Sequence, residues 1–99
     1  MRPIVVASLD KRRPVVVLTR ELVRPHLRRV TVAPITSTVR GLSTEVPVGK
    51  RNGLEQESVV SCDNVTTIEV ESLGEQIGYL LPDQEAALAE AINVAFDLV

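Results

Sequence analysis

The 99 residues suffice for one domain built on a single core, and we expect residues 1–99 to form that one domain. Apolar residues at 44% and charged residues at 24% describe an ordinary globular chain and exclude a disordered one. The net charge of −2 conceals a split: residues 1–51 carry all 11 Lys and Arg against three acids, and residues 52–99 carry ten acids and no Lys or Arg.

Such a split has two readings. Either the basic part faces nucleic acid or an acidic partner, or the two parts pack together and neutralise each other. A single Cys62 excludes a disulfide framework and favours a reducing compartment. No apolar run approaches the ~20 residues of a membrane helix, and no secretory signal pattern is present. A cytoplasmic protein without membrane contact is therefore expected.

In chain order, residues 4–9 (IVVASL) and 14–19 (PVVVLT) are short β-branched runs, which predicts two strands separated by charged residues 10–13. The unbroken apolar run at 15–18 predicts burial on both faces of the sheet. Residues 20–28, with Pro25 and many charges, read as an exposed excursion. A third strand is predicted over 29–35, with Pro34 at an edge or at the strand end because it cannot donate to a ladder. After a turn at Arg40-Gly41, residues 43–48 alternate as a half-buried strand does. Asn52-Gly53 predicts a turn with positive φ.

Two more strands are expected at 57–62 and 65–70. Residues 71–76 read as a turn or one helical turn, and 77–81 as a last short apolar segment. Only the C-terminus is helical in pattern: Leu88, Ala91, Ile92, Ala95 and Phe96 recur at helical spacing, with Pro82 suited to the first turn. The outcome is five to seven short strands and one terminal helix, a small β barrel with the helix over one open end.

One Cys and one His cannot furnish the usual zinc ligands, and no phosphate-binding Gly-rich loop precedes a helix. His26 lies in a basic, proline-flanked loop (RPHLRR, 24–29), which favours a solvated side chain over a triad member. Cys62 reads as a small buried side chain, because neighbouring Asp63 disfavours its thiolate. What remains is arginine and hydroxyl chemistry. Lys11, Arg12 and Arg13 open one strand, and Thr36, Ser37 and Thr38 follow another. Arginine presents a planar fork of donors matched to phosphate oxygens, and threonine adds a short hydroxyl donor. Were the two strand ends adjacent, they would bind a phosphodiester and stabilise charge developing on it.

The ordered segments RRPVVVLT (12–19), TVAPITSTVRGL (31–42), STEVPV (43–48), NGLEQESVVSCDNVTTI (52–68) and IGYLLPDQEAALAEAI (77–92) together resemble the MazF/PemK toxins over nearly the whole chain. No segment is distinctive alone; their order and spacing are. The resemblance implies a mainly β fold with one C-terminal α-helix, an SH3-like barrel shared by CcdB and MazF toxins. It implies a homodimer that cleaves single-stranded RNA without metal or cofactor, held inactive by a cognate antitoxin whose acidic tail lies over the RNA groove. The family's catalytic Arg and Thr fall on Arg13 and Thr36. Lys11, Arg12, Ser37, Thr38 and Arg40 flank that pair, and Ser58, Asp63 and Asn64 fall in the segment that lines the groove, so all eight are expected to contact RNA. The implied reaction is attack of the 2′-hydroxyl on phosphorus, leaving a 2′,3′-cyclic phosphate and a 5′-hydroxyl.

The chain departs from that pattern between the first two strands. The usual long, Gly-containing loop is reduced to about residues 10–12, and Ser8 stands where some relatives carry a carboxylate. Asp10 is the substitute at hand. With Tyr79 and Phe96 the only aromatics, bases are expected to be read by hydrogen bonds and not by stacking. The alternative reading is a CcdB-like poison of DNA gyrase on the same barrel. Such proteins carry a Trp near the end of the terminal helix, where this chain has Phe96-Asp97-Leu98-Val99. A non-catalytic barrel that binds a peptide is a third reading, resting only on the rule that fold does not dictate function.

Overall fold

A computed structural model describes residues 1–98. Seven strands appear in it: β1 (Pro3–Ser8), β2 (Arg12–Val17), β3 (Arg29–Thr36), β4 (Glu45–Val48), β5 (Ser58–Ser61), β6 (Thr66–Glu69) and β7 (Leu73–Tyr79), followed by α1 (Pro82–Ala95). All pairings are antiparallel, in the order β4-β5-β3-β2-β1-β7, with β6 added on β3. The mainly β architecture with one C-terminal helix is the expected one, its sheet curled into a half-barrel.

The curl originates in β3. Its first half pairs with β6 (Arg29↔Glu69 to Val32↔Thr66) and its last two residues pair with β5 (Ile35↔Val60, Thr36↔Val59). Ala33 and Pro34 fall between these two ladders, so the missing proline N–H leaves no gap in either. Pro34 is thus interior to the strand, neither at an edge nor at its end. Its position is tolerated because the sheet divides beside it.

Of the apolar run at 15–18, Val15, Val16 and Val17 are buried on both faces of the sheet at 1% exposure or less, whereas Leu18 at its end is only half-buried. Side chains alternate across a strand. Val16 joins Ile4, Ala33, Ile35, Val46, Val48, Val60, Leu80, Leu88 and Ala91 in the larger core, whereas Val15 and Val17 join Val5, Ala7, Val30 and Val32 in a smaller one. The helix lies over the larger core through Leu88 and Ala91. Phe96, expected on that apolar face, is instead 54% exposed, because it follows the last helical turn.

Two segments differ from the sequence expectation. Residues 71–76 read as a turn or one helical turn; a helical turn forms only at Val70–Ser72, and β7 starts at Leu73 although Gly74, Glu75 and Gln76 have little intrinsic strand preference. Pairing with buried β1 overrides that preference (Ala7↔Leu73, Val5↔Gln76, Ile4↔Gly78). Pro34 is the other, as described above.

The path ends, β4 and β7, are not hydrogen-bonded to each other among the described residues. The gap is bridged by the turn at Lys50–Asn52 and by the start of α1. Gly53 there has φ +86°, as Asn52-Gly53 predicts, and its backbone lies directly against Ile77 and Gly78. A Cβ on Gly78 would collide with the Asn52 carbonyl, and backbone cannot swing aside as a flexible side chain can. Gly78→Ala is therefore expected to cost about 3 kcal/mol or more by overpacking, read as a lower urea midpoint. A midpoint like that of the unaltered protein would show that the seam can open without cost.

Candidate active site

β2 and β3 run antiparallel with Val15 opposite Pro34 and Val17 opposite Val32. Continuing that register by two residues sets Arg13 across from Thr36, so both side chains leave the same face where the valine core ends. Val15 and Val17 fill that core from β2, and Val30 and Val32 fill it from β3. On that face Arg13 follows Val15 on β2, and Thr36 follows Pro34 on β3, so the core ends and a polar cavity opens there.

Arg13 and Thr36 stand between two cavities and line both. The first, about 490 Å³, is completed by Asp10, Thr38, Arg40, Glu45, Ser61, Asp63, Asn64 and others. The second, about 430 Å³, is completed by Lys11, Ser37, Gln56, Ser58 and the Leu54–Glu55 turn. Nine of the ten residues singled out in the sequence therefore meet here. Arg12 does not: neighbouring strand residues face opposite ways, and its guanidinium lies instead against Gly74 of β7.

The Arg13 guanidinium is held by one contact, from Nη2 to Asp10 Oδ2 at 3.3 Å. Its Nε is buried and has no acceptor among the described residues. An unpaired buried donor costs about 1–3 kcal/mol, so this arginine is poised to gain from an incoming oxygen. Thr36 Oγ1 accepts from the Thr38 N–H at 3.1 Å, which leaves its own hydroxyl proton to donate. The short loop between β1 and β2 thus brings Asp10, not Ser8, to the arginine.

Three residues passed over in the sequence shape the first cavity. Glu45 accepts from the N–H groups of Arg40 and Leu42 at 3.2 and 3.1 Å, folding the 40–42 turn into its wall. Thr44 donates to Asp63 Oδ2 at 2.6 Å, and Ser61 accepts from Asn64 Nδ2 at 2.7 Å. Glu45 and Ser61 act on their own turns, whereas Thr44 meets a partner 19 positions away that no local pattern marks. Asp10, Glu45 and Asp63 share the cavity, yet no group of three or more His, Cys, Asp or Glu among the described residues is gathered as a metal would require.

The neutralisation reading of the charge split holds in part. Three of the four ion pairs among the described residues join the basic and acidic parts: Arg2–Glu85, Arg29–Glu69 and Arg51–Asp83. Arg51 holds the Asp83 carboxyl below its ordinary range. Lys11, Arg12 and Arg40 enter no such pair and remain at the site end of the sheet. His26 is exposed in the 24–26 turn at the opposite end of β3. Cys62 is buried, and burial, with the Asp63 charge second, pushes its thiol up to about 11. Neither residue is placed for nucleophilic work.

With this geometry in view, residues 2–96 match the family described as PemK-like, MazF-like toxin of type II toxin-antitoxin system. The chain belongs to this family. Relatives of the MazF type include Endoribonuclease MazF3 of Mycobacterium tuberculosis, 72% identical over 98 residues that span 99% of this chain and 95% of the relative. The solved structure of Mycobacterium tuberculosis toxin MazF-mt6 superposes with a TM-score of 0.97 at 71% identity, covering 99% of each chain. A mycobacterial endoribonuclease solved in complex with its cognate antitoxin shares the MazF fold at only 22% identity, with a TM-score of 0.87 over 98% of this chain and 93% of the other. No helix among the described residues is long and apolar enough to cross a membrane.

Proposed function

We propose that the chain, acting as one toxin domain over residues 1–99, is the RNA-cleaving component of a type II toxin-antitoxin pair in the cytoplasm. The observation that carries this reading is Arg13 with its unpaired buried Nε beside the Thr36 hydroxyl, between two cavities on either side. A single strand passing from one cavity to the other sets its phosphate against that pair.

The reaction is then transesterification. The ribose 2′-oxygen bonds to phosphorus, the bond to the 5′-oxygen breaks, and the leaving 5′-oxygen takes a proton from water, giving a 2′,3′-cyclic phosphate and a 5′-hydroxyl. Arg13 stabilises the negative charge that builds on the phosphorane, and Thr36 holds a non-bridging oxygen. Arg13 is not the base, since a guanidinium keeps its proton at any working pH. Among the cavity's acids Asp10 is the one in contact with Arg13, and we assign it the 2′-hydroxyl proton. DNA lacks the attacking hydroxyl, so RNA selectivity follows from the mechanism. Lys11 and Arg40 draw the phosphate backbone into the cavities. An antitoxin with an acidic tail would compete for these cations, and the toxin works as a homodimer. The CcdB-like reading as a gyrase poison is not favoured, given the family to which the chain belongs.

The test is incubation of the pure protein with a broad set of single-stranded RNAs in excess EDTA. Cleavage with cyclic-phosphate and 5′-hydroxyl ends is expected, and affinity should fall steeply as salt rises. Intact RNA throughout would overturn the reading.

A further inference from the structure

The first cavity contains a group whose hydrogen-bonding character admits only one polarity. Asp63 sits in the Cys62–Asn64 turn between β5 and β6, at the point where those two strands divide the edge of β3. That division aims the turn at the cavity shared with Arg13 and Thr36. Thr44, itself 8% exposed, donates to Asp63 Oδ2 at 2.6 Å and so fixes the plane of the carboxylate. Oδ1 has no partner in the chain among the described contacts, and a carboxylate can only accept. The cavity therefore presents a fixed acceptor, held by a buried hydroxyl, next to the groups assigned to the phosphate. Neither Tyr79 nor Phe96 lines this cavity, so no aromatic platform competes in choosing the base.

We propose that Asp63 reads the edge of a nucleobase adjoining the scissile phosphate, selecting a base with an exocyclic amino group and rejecting uracil. The inference rests on the ribonuclease reading above and adds a substrate preference to it. Cytosine and adenine each offer an exocyclic NH₂, and guanine offers an NH₂ beside a ring N–H. Uracil offers a single N–H between two carbonyl oxygens, so a carboxylate facing its edge meets an acceptor on either side of that donor. A good contact between side chain and base edge discriminates by about 5- to 150-fold. Arg40 shares the cavity, but its backbone N–H is already bound to Glu45, and its charged side chain suits phosphate.

The experiment uses the full-length protein and a randomised single-stranded RNA pool, with the 5′-hydroxyl ends of the products sequenced. At one position of the cleavage motif uracil is expected to be depleted at least tenfold. In Asp63→Asn the side-chain oxygen keeps the Thr44 bond and the amide NH₂ turns to the cavity, converting an acceptor into a donor. Uracil should then be accepted at that position and the rest of the motif should stand. Thermal melting shows whether the variant folds. A second arm needs no variant: an RNA whose base at that position lacks only the amino group should be cut at least tenfold more slowly by the unaltered protein. Asp63→Asn should show no such loss. An Asp63→Asn motif identical to the original, or indifference of the unaltered protein to the deleted amino group, overturns the proposal. Failure of the unaltered protein to cut any RNA would instead overturn the ribonuclease reading beneath it.

Discussion

Arg13→Ala is expected to lower the rate of RNA cleavage by about 10³-fold or more, the scale on which an arginine that meets transition-state charge contributes. The loss should fall on kcat at least as much as on KM, because phosphorane charge exists only in the transition state. Lysine at the same position restores the charge as a point and not as a fork, so Arg13→Lys should recover only part of the rate. Thr36→Val keeps the shape of the residue and removes its hydroxyl; a loss of about 10²-fold is expected, the scale of one neutral donor to a developing oxyanion. Thr36→Ser should stay near the original rate. Single-turnover cleavage of one RNA, with melting curves for each variant, measures all four. A fully active Arg13→Ala would move the site away from the end of the valine core.

The largest stability effect is expected at Asn52, which is fully buried and uses all its bonding capacity. Its Oδ1 accepts from Gly49 N–H and Gln84 Nε2, both at 3.0 Å, and its Nδ2 donates to the Tyr79 carbonyl at 2.9 Å and to Gln84 Oε1 at 2.6 Å. Gln84 in turn donates to the Pro47 carbonyl at 3.3 Å and accepts from the Leu81 N–H at 3.0 Å. These two amides bridge the seam between β4 and β7 where no ladder does. Asn52→Ala removes the partners of the Gly49 N–H and the Tyr79 carbonyl and leaves the Gln84 amide with two of its four bonds. At about 1–3 kcal/mol for each unpaired group, a loss of about 4 kcal/mol is expected out of the 5–15 typical of a domain. Urea unfolding should show a lower midpoint with an unchanged slope. A double-mutant cycle with Gln84→Leu should be strongly non-additive, since the two side chains share one network. Additive losses would mean that each amide acts alone.

Some of this was legible in the sequence because its cause is local. Three consecutive valines at 15–17 need apolar contact on both faces, and a two-faced strand is the element that provides it. Leu88 and Ala91 at helical spacing predict the buried stripe of α1, and Asn52-Gly53 predicts positive φ. The candidate pair itself, Arg13 and Thr36, was reached from an ordered set of segments, each too common to decide anything alone.

Tertiary structure decided what no local pattern encodes. The polar start of β7 is a strand only because buried β1 lacked a partner on that edge. Pro34 is admitted inside β3 because the sheet divides beside it. Asn52 and Gln84 read as a turn residue and a first-turn residue, and become a seam only when 32 positions of chain bring them within 3.0 Å. The same holds at the site. Lys11, Arg12 and Arg13 are equivalent as a charge run, but strand alternation turns Arg12 against β7 and leaves Arg13 between the cavities. Thr44 looks like an ordinary strand start, yet it fixes Asp63, 19 positions along the chain. Composition and period report what a residue prefers within a turn or a strand; which groups meet across strands depends on register, and register depends on the whole sheet.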